Sequence, residues 1–181
     1  DDYEEQFGPG LQIVNGRLEG LWLLGNNYGN QSEYYGAFPG NWIKRIHAMF
    51  SNPGLLLHLF AGSLPPGGYT RFDRRTDLDN GPDVVGEAEQ LSEYFSAGNF
   101  DTIIADPPYT GEDASKYGTQ LCNRKKVIEE CHKVLVPGGY LVWLDQVWPM
   151  YSKKQWDLMG MIGVVISTNH RARLITILRK I

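Results

Sequence analysis

The chain has 181 residues, a length that suits a single domain. Hydrophobic residues make up 42% and charged residues 21% of it, an ordinary globular mixture that excludes disordered and fibrous classes. The formal net charge is −4, which excludes a strongly basic protein that holds nucleic acid over its whole surface.

The apolar runs are short. The longest, 55–60 and 174–178, have the length of strands and fall far below the roughly 18 residues of a membrane-spanning helix. The acidic segment 1–6 lacks the basic and apolar regions of a signal peptide, so we expect a cytoplasmic protein with no membrane partner. Cys122 and Cys131 are separated by about 13 Å if they share one helix, which predicts reduced thiols. The histidines and cysteines show no metal-ligand spacing, so we expect no metal.

The predicted elements alternate between strand and helix. Residues 1–37, rich in Gly, Asn and Tyr, are expected to be mostly irregular, with a short strand or helical turn at 21–24. Apolar residues at helical spacing predict an amphipathic helix over 42–50. The remaining predicted elements, in chain order, are strands at 55–60, 69–73 and 83–85, a helix over 88–95, a strand at 100–105, a helix over 121–135 that 137–139 ends, a strand at 140–144, a helix around 152–160, and strands at 164–166 and 174–178.

This alternation predicts an α/β fold in which a mostly parallel sheet carries helices on both faces. The last two strands are joined by the tight turn 168–171, too short for a crossover helix, so the last strand is expected to be antiparallel. Residues 38–181 are expected to form one catalytic domain.

The feature that carries chemistry is Asp106-Pro107-Pro108-Tyr109. It follows the predicted strand 100–105, and ligands bind at the carboxyl ends of strands in open α/β sheets. The two prolines stiffen the turn, which fixes the Asp106 carboxylate and the Pro107 carbonyl as acceptors beside the aromatic ring of Tyr109. Two acceptors and a ring suit a planar group that bears an amine.

These four residues resemble the catalytic signature of the amino methyltransferases that use S-adenosylmethionine. The Asp-Pro-Pro-Tyr form is typical of the adenine N(6) enzymes. The resemblance implies a Rossmann-like class I methyltransferase with a seven-stranded sheet, S-adenosylmethionine as cofactor and no metal. The implied reaction is methyl transfer to the exocyclic amine of adenine in DNA, with Asp106, Pro107, Pro108 and Tyr109 as the catalytic residues.

The resemblance also assigns a cofactor site. Phe60-Ala61-Gly62 resembles the family's F-x-G-x-G loop, although its second glycine is absent here. Asp73 matches the acid that binds the cofactor ribose, and Glu87 with Ala88 matches the segment that holds the cofactor adenine; Asp106 completes the set. From the residues alone, Asp73 can equally be a solvated acid, and Glu87 an acid favoured at a helix N-terminus.

Target recognition is expected in loops or in a partner subunit, because 38–181 has no space for a separate target-recognition domain. Basic side chains, among them Lys116, His170 and Arg171, are expected to gather near the catalytic edge. Lys153 and Lys154 are expected to be a solvated surface pair, with a phosphate contact near that edge as the alternative. The residues assigned to the substrate are Tyr109, Lys116, Tyr117, Asn169, His170 and Arg171.

Two other interpretations stay open. RNA-base and protein-glutamine methyltransferases share the Pro-Pro-aromatic turn, although glutamine enzymes usually begin it with Asn rather than with an acid such as Asp106. The chain can also be a non-catalytic methyltransferase-like subunit that binds nucleic acid or a partner. The missing glycine favours that interpretation, and the intact turn opposes it. DNA is expected as the nucleic-acid partner ahead of RNA.

Overall fold

The computed structural model describes residues 2–24, 42–77, 80–108, 111, 115, 121–166 and 172–181. The strands in these ranges are Leu11–Val14 (β1), Arg17–Leu24 (β2), Leu56–Leu59 (β3), Thr70–Asp73 (β4), Val84–Val85 (β5), Phe100–Ala105 (β6), Leu135–Asp145 (β7), Trp156–Ile166 (β8) and Ala172–Lys180 (β9). The helices are Asp2–Phe7 (α1), Trp42–Met49 (α2), Leu91–Tyr94 (α3) and Arg124–Val134 (α4), and a 3-10 turn spans Ala88–Gln90.

The strands form one mixed, mostly parallel sheet in the order β1-β2-β8-β9-β7-β6-β3-β4-β5. Strands β3 to β7 run parallel to their neighbours, whereas β9 pairs antiparallel with both β7 and β8. The antiparallel last strand is therefore confirmed. The predicted count of seven strands is wrong, because the described chain contributes nine to the sheet.

The two additional strands come from the N-terminal segment that was expected to be irregular. Strands β1 and β2 form a hairpin around Asn15-Gly16, where both residues have positive φ, as a two-residue hairpin turn requires. Strand β2 then pairs in parallel with β8. Alternation in β2 buries Trp22 and Leu24 and exposes Leu21 and Leu23, so the hairpin 11–24 belongs to the same folded sheet.

The helix predicted around 152–160 is also wrong. Strand β8 begins at Trp156, and residues 146–155 cross the sheet without any helix. Long antiparallel pairing with β9 supplies the backbone hydrogen bonds that a helix would otherwise provide. A groove of about 740 Å³ lies over β1, β2 and β8, with Met161, Gly163 and Leu174 in its lining.

A third difference concerns the turn 137–139. The helix α4 ends at Val134, and β7 begins at the next residue, so Pro137-Gly138-Gly139 lies inside the strand. The register between β6 and β7 shifts there, from Phe100 opposite Leu135 to Thr102 opposite Tyr140, which accommodates the extra residues as a bulge.

Apolar cores lie on both faces of the sheet. On one face α3 and α4 pack through Leu91, Val127 and Cys131, and on the other α1 and α2 pack through Tyr3 and Ile46. Helices on both faces agree with the predicted layer arrangement. Both cysteines are free thiols, and Cys122 precedes α4 instead of sharing the helix with Cys131. None of the helices described is long and apolar enough to cross a membrane.

Candidate functional site

The candidate site lies at the carboxyl edge of the parallel strands. Strand β3 ends just before Phe60, β4 ends at Asp73, β5 ends just before Gly86-Glu87, and β6 ends just before Asp106. These strands are parallel neighbours, so their carboxyl ends meet at one edge. The fold thus brings the predicted cofactor residues and the first residue of the predicted catalytic turn to the same edge.

The turn after β3 has an unusual backbone. Phe60 has a φ of 61° and Gly62 a φ of 54°. Positive φ costs a bulky residue such as phenylalanine roughly 1–3 kcal/mol, and such strain concentrates at ligand sites. The turn is held by two hydrogen bonds, from Ala61 N to the Phe72 carbonyl at 3.1 Å and from Gly62 N to Asp73 Oδ2 at 2.9 Å. A Cβ placed on Gly62 meets no atom within 4 Å, so this side of the turn is open to a ligand.

Asp73 is held in place rather than solvated. It is 9% exposed, Oδ2 accepts the Gly62 N–H, and Oδ1 accepts the Arg75 N–H at 3.0 Å. Each carboxylate oxygen keeps further acceptor capacity, because an ionised carboxylate offers about four lone-pair sites. Asp73 can therefore accept hydrogen bonds from a diol such as a ribose while it fixes the turn 60–62.

The segment after β5 closes the far side of the site. Gly86 N donates to the Asp73 carbonyl at 3.0 Å, and a Cβ on Gly86 would lie 2.5 Å from Tyr94 Cζ. Glu87 makes no capping hydrogen bond to the 3-10 turn, and its carboxylate lies 3.5 Å from Arg74 with both side chains about half exposed. Ala88, the next residue, is buried. Glu87 and Ala88 thus flank the same edge as Asp73.

The described part of the catalytic turn comprises Asp106, which is half-buried, Pro107, which is buried, and Pro108. Ala105 immediately before it lies between Leu59 of β3 and Trp143 of β7. The turn therefore begins in the middle of the sheet, at the centre of the carboxyl edge.

A buried ion pair beside this turn was missed by the sequence analysis. Asp145, the last residue of β7, is fully buried and accepts Arg124 Nε at 2.6 Å and Arg124 Nη2 at 3.2 Å. The same carboxylate accepts Trp143 Nε1 at 3.2 Å and Gln146 N at 2.7 Å. The sequence shows only an acid, Asp145, directly after a predicted strand. This pattern is too common to indicate that the carboxylate is buried or that Arg124 is its partner.

Cys122 lies close to this pair, and it is not a candidate nucleophile. Burial raises the pKa of its thiol to about 11, so the neutral form predominates at pH 7. Among the residues with described placement, no cluster of three or more His, Cys, Asp or Glu side chains could hold a metal ion.

The residues that face the cofactor edge fit S-adenosylmethionine. The open turn 60–62 can admit a ligand against the backbone, Asp73 offers fixed acceptors for ribose hydroxyls, and Glu87 with Ala88 lies where the adenine would be flanked. These are the residues that would hold the cofactor.

Several predicted substrate residues lie outside the described ranges, namely Tyr109, Lys116, Tyr117, Asn169, His170 and Arg171. Lys153 and Lys154 are described and exposed, as expected of a solvated pair, and the alternative that places them near the catalytic edge is wrong. They precede Trp156, which pairs with Lys180 at the end of β9, whereas Asp145 pairs with Leu174 near its beginning. The two lysines therefore lie at the opposite edge of the sheet.

Comparison with solved structures identifies the fold. A SAM-dependent methyltransferase from Methanosarcina mazei superposes with a TM-score of 0.52 at 15% identity, over 81% of this chain and 99% of that one. TrmN from Thermus thermophilus gives a TM-score of 0.52 at 16% identity over 76% of this chain, and the match spans 48% of the TrmN chain. The MccD protein gives 0.52 at 11% identity, over 79% and 98% of the two chains.

No family model matches the sequence, and no curated protein matches it significantly. At these identities the structural similarity establishes the fold alone. The chain has the Rossmann-like fold of S-adenosylmethionine-dependent methyltransferases.

Proposed function

We propose that this protein transfers a methyl group from S-adenosylmethionine to the exocyclic amine of a nucleic-acid base, with adenine in DNA as the target. The proposal rests on one observation above all. Asp106-Pro107 begins a turn at the carboxyl end of β6, directly beside the β3 turn, and β4, where Asp73 is fixed, is the next strand beyond β3. A cofactor and an amine acceptor would meet at this point.

The residues of the turn address the difficulty of the reaction, which is the weak nucleophilicity of a base amine. When bound, S-adenosylmethionine supplies an electrophilic methyl group, and its S–C bond breaks as the N–C bond forms. The Asp106 carboxylate accepts one amine N–H and the Pro107 carbonyl accepts the other. These two hydrogen bonds orient the nitrogen lone pair towards the methyl carbon, which is catalysis by positioning.

Asp106 has a second role in the proposal. Positive charge develops on the amine nitrogen as the bond forms, and a fixed carboxylate beside it stabilises that charge. The same carboxylate can hold the proton that the nitrogen loses. Tyr109, the fourth residue of the motif, is proposed to stack on the base. A base within a duplex must be flipped out to reach this turn, at a cost of a few kcal/mol.

The test is methyl transfer from labelled S-adenosylmethionine to separate pools of DNA, RNA and protein, followed by nucleoside mass spectrometry. The proposal expects N(6)-methyladenine in DNA. Methylation confined to RNA or to protein would replace the proposed target, and cofactor binding without transfer to any pool would favour the non-catalytic alternative.

Asp106→Ala tests the catalytic assignment. We expect the rate to fall by about 10²–10³, the usual effect of removing one positioned electrostatic group, with cofactor affinity nearly unchanged. Asp157→Ala is the matched control, because Asp157 is a half-exposed acid on β8 whose partner is Arg179. Near-normal turnover of the Asp106 variant would contradict the assignment.

A further inference from the structure

One tryptophan differs from all the others. Trp148 is 51% exposed, although the chain has five tryptophans and a tryptophan ring buries more apolar surface than any other side chain. The remaining four are at most 2% exposed; they are Trp22, Trp42, Trp143 and Trp156. An exposed indole therefore needs an explanation in this protein.

Trp148 lies near the carboxyl end of β7, because it follows the last residue of that strand by three residues. Strand β7 is the parallel neighbour of β6, and Trp143 is opposite Ala105, the residue before Asp106. Two residues later β7 ends at the buried Asp145, and Trp148 follows three residues after it. Pro149, the next residue, is buried again. The exposed ring of Trp148 thus lies between two buried residues, Asp145 and Pro149.

Positive charge lies on the segment that contacts the end of β7. The Arg124–Asp145 ion pair, at 2.6 Å, joins the first residue of α4 to the last residue of β7. Lys125 and Lys126 follow Arg124 and are exposed, and the first turn of α4 contains no acidic residue. Lys125 Nζ lies 3.8 Å from Glu129 Oε1, one helical turn further along, in a pair that is itself exposed. Cations are unfavourable at the positive end of a helix dipole, and an exposed pair such as Lys125–Glu129 contributes little to stability, so helix stability does not favour three consecutive basic residues there. Leu121, also exposed, precedes them.

We propose that this surface, formed by Leu121, Lys125, Lys126 and Trp148 and called the α4–β7 rim, binds the nucleic-acid strand that carries the target base. A nucleotide next to the target stacks on Trp148, and the phosphates beside it contact Lys125 and Lys126. Aromatic platforms combined with cations are how proteins hold unpaired strands without reading their sequence. The inference rests on the proposed function. It adds to that function the surface that binds the nucleic acid and the requirement that the bound strand is unpaired.

The first experiment measures binding without turnover. Because four of the five tryptophans are buried, a change in intrinsic fluorescence on adding a single-stranded 12-residue oligodeoxynucleotide that contains one adenine reports mainly on Trp148. The rim predicts quenching that saturates with the oligonucleotide and that disappears in Trp148→Phe. It also predicts that bound oligonucleotide protects the wild-type ring from iodide. Binding that leaves the fluorescence and its iodide quenching unchanged overturns the proposal.

The second experiment separates stacking from charge. Stacking of one base on an aromatic ring corresponds to about 5- to 150-fold in affinity, so Trp148→Ala should weaken oligonucleotide binding by a factor in that range, and Trp148→Phe should restore most of it. We expect the KM for the nucleic acid to rise with kcat nearly constant. Cofactor affinity, measured by calorimetry, should not change.

A matched pair of charge variants completes the test. Lys125→Gln with Lys126→Gln should lower the slope of log affinity against log salt by about 0.7 for each lost phosphate contact. Lys153→Gln with Lys154→Gln removes the same charge at the opposite edge of the sheet, and it should leave the slope unchanged. If both double variants lowered this slope equally, the effect would come from the net charge of the protein, and the proposal that the rim binds the strand would be overturned.

The outcomes distinguish this inference from the proposed function. Loss of oligonucleotide binding in the rim variants supports the rim even if no pool is methylated, whereas normal methylation with unchanged KM in Trp148→Ala overturns the rim and leaves the proposed function standing. A Trp148 variant that changes the sedimentation coefficient of the free protein, with oligonucleotide binding intact, would identify a protein contact and overturn the nucleic-acid assignment.

Discussion

Arg124 and Asp145 should contribute a large interaction energy to the free energy of unfolding, and a double-mutant cycle can measure that energy. The proposed perturbations are Asp145→Asn, Arg124→Met and the two together. The pair joins α4 to the end of β7 beside the predicted catalytic turn, with the carboxylate fully buried and the arginine side chain 19% exposed. Breaking it therefore affects both the fold and the geometry of the candidate site.

The expected magnitude follows from the contacts. Removing one partner of a buried ion pair costs about 3–5 kcal/mol, because the other charge is left without compensation. Asp145→Asn should fall at or below the lower end of that range, about 2–3 kcal/mol, since the amide oxygen can still accept the Trp143 Nε1–H and the guanidinium retains some contact with water. Arg124→Met should cost about 3–5 kcal/mol, because it leaves a fully buried carboxylate with two neutral donors.

The assay is urea unfolding of all four proteins at pH 7, monitored by circular dichroism. The double variant should be less destabilised than the sum of the single variants by about 2 kcal/mol. Arg179 and Asp157 form the control pair, because their charged atoms are at a similar distance, 2.8 Å, but both side chains are nearly half exposed. Their cycle should give a coupling near the limit of detection. A coupling below about 0.5 kcal/mol for Arg124 and Asp145 would refute the inference that burial makes this pair strong.

Three further predictions concern pH, packing and thiol chemistry. Burial, with His47 beside it, lowers the pKa of His58 to about 3, so the unfolded chain binds the proton first as the pH falls below 6.5. The unfolding free energy should therefore drop by about 2 kcal/mol between pH 6.5 and pH 5, at about 1.4 kcal/mol per unit, and urea titrations of His58→Gln should show a flatter profile. Gly86→Ala should lower the unfolding free energy by about 1–3 kcal/mol by overpacking, as thermal unfolding can measure. Cys122, whose pKa is raised to about 11, should react with a thiol reagent at pH 7 far more slowly in the native protein than in urea.

Each of these has an outcome that contradicts it. An unfolding free energy that stays constant between pH 6.5 and pH 5 would mean that His58 is not buried in its neutral form. Gly68→Ala is the packing control, because a Cβ there meets no atom within 4 Å, and equal losses at Gly86 and Gly68 would remove the packing explanation. Native Cys122 that reacts at the unfolded rate would place the thiol in solvent.

The sequence by itself determined the strands of the central sheet and the place of the catalytic turn. The apolar run 100–105 is bounded by Asp106-Pro107-Pro108, and a proline pair cannot continue a central strand, so the end of β6 follows from local chemistry. The existence of α4 also follows from its apolar spacing, but its start does not, because the predicted helix 121–135 begins before Asn123, whose side chain caps the observed helix by accepting the Lys126 N–H. These features depend on residues adjacent in the chain, and the pattern of those residues is visible in the sequence.

The N-terminal hairpin and the connection 146–155 were decided by the tertiary structure. Strand β2 is stable because it pairs with β8, about 140 residues later, and β8 is a strand throughout because β9 and β2 pair with both of its edges. Backbone hydrogen bonds between distant segments do not depend on the side-chain pattern of either segment, so the sequence of one segment does not show which strand it will pair with. The turn Asn15-Gly16 was a local hairpin signal, and it gave no information about where the hairpin would pair.

The tertiary structure also decided the environment of the site. Asp73 is a buried acceptor because the backbone of two other segments donates to it, and Asp145 is buried because Arg124 reaches it from α4. The sheet direction places Lys153 and Lys154 at one edge and Asp145, at the end of β7, at the other, although only a short connection separates them along the chain. A sequence specifies which groups can ionise or stack, but whether they are solvated, paired or displayed depends on which segments the fold packs against them.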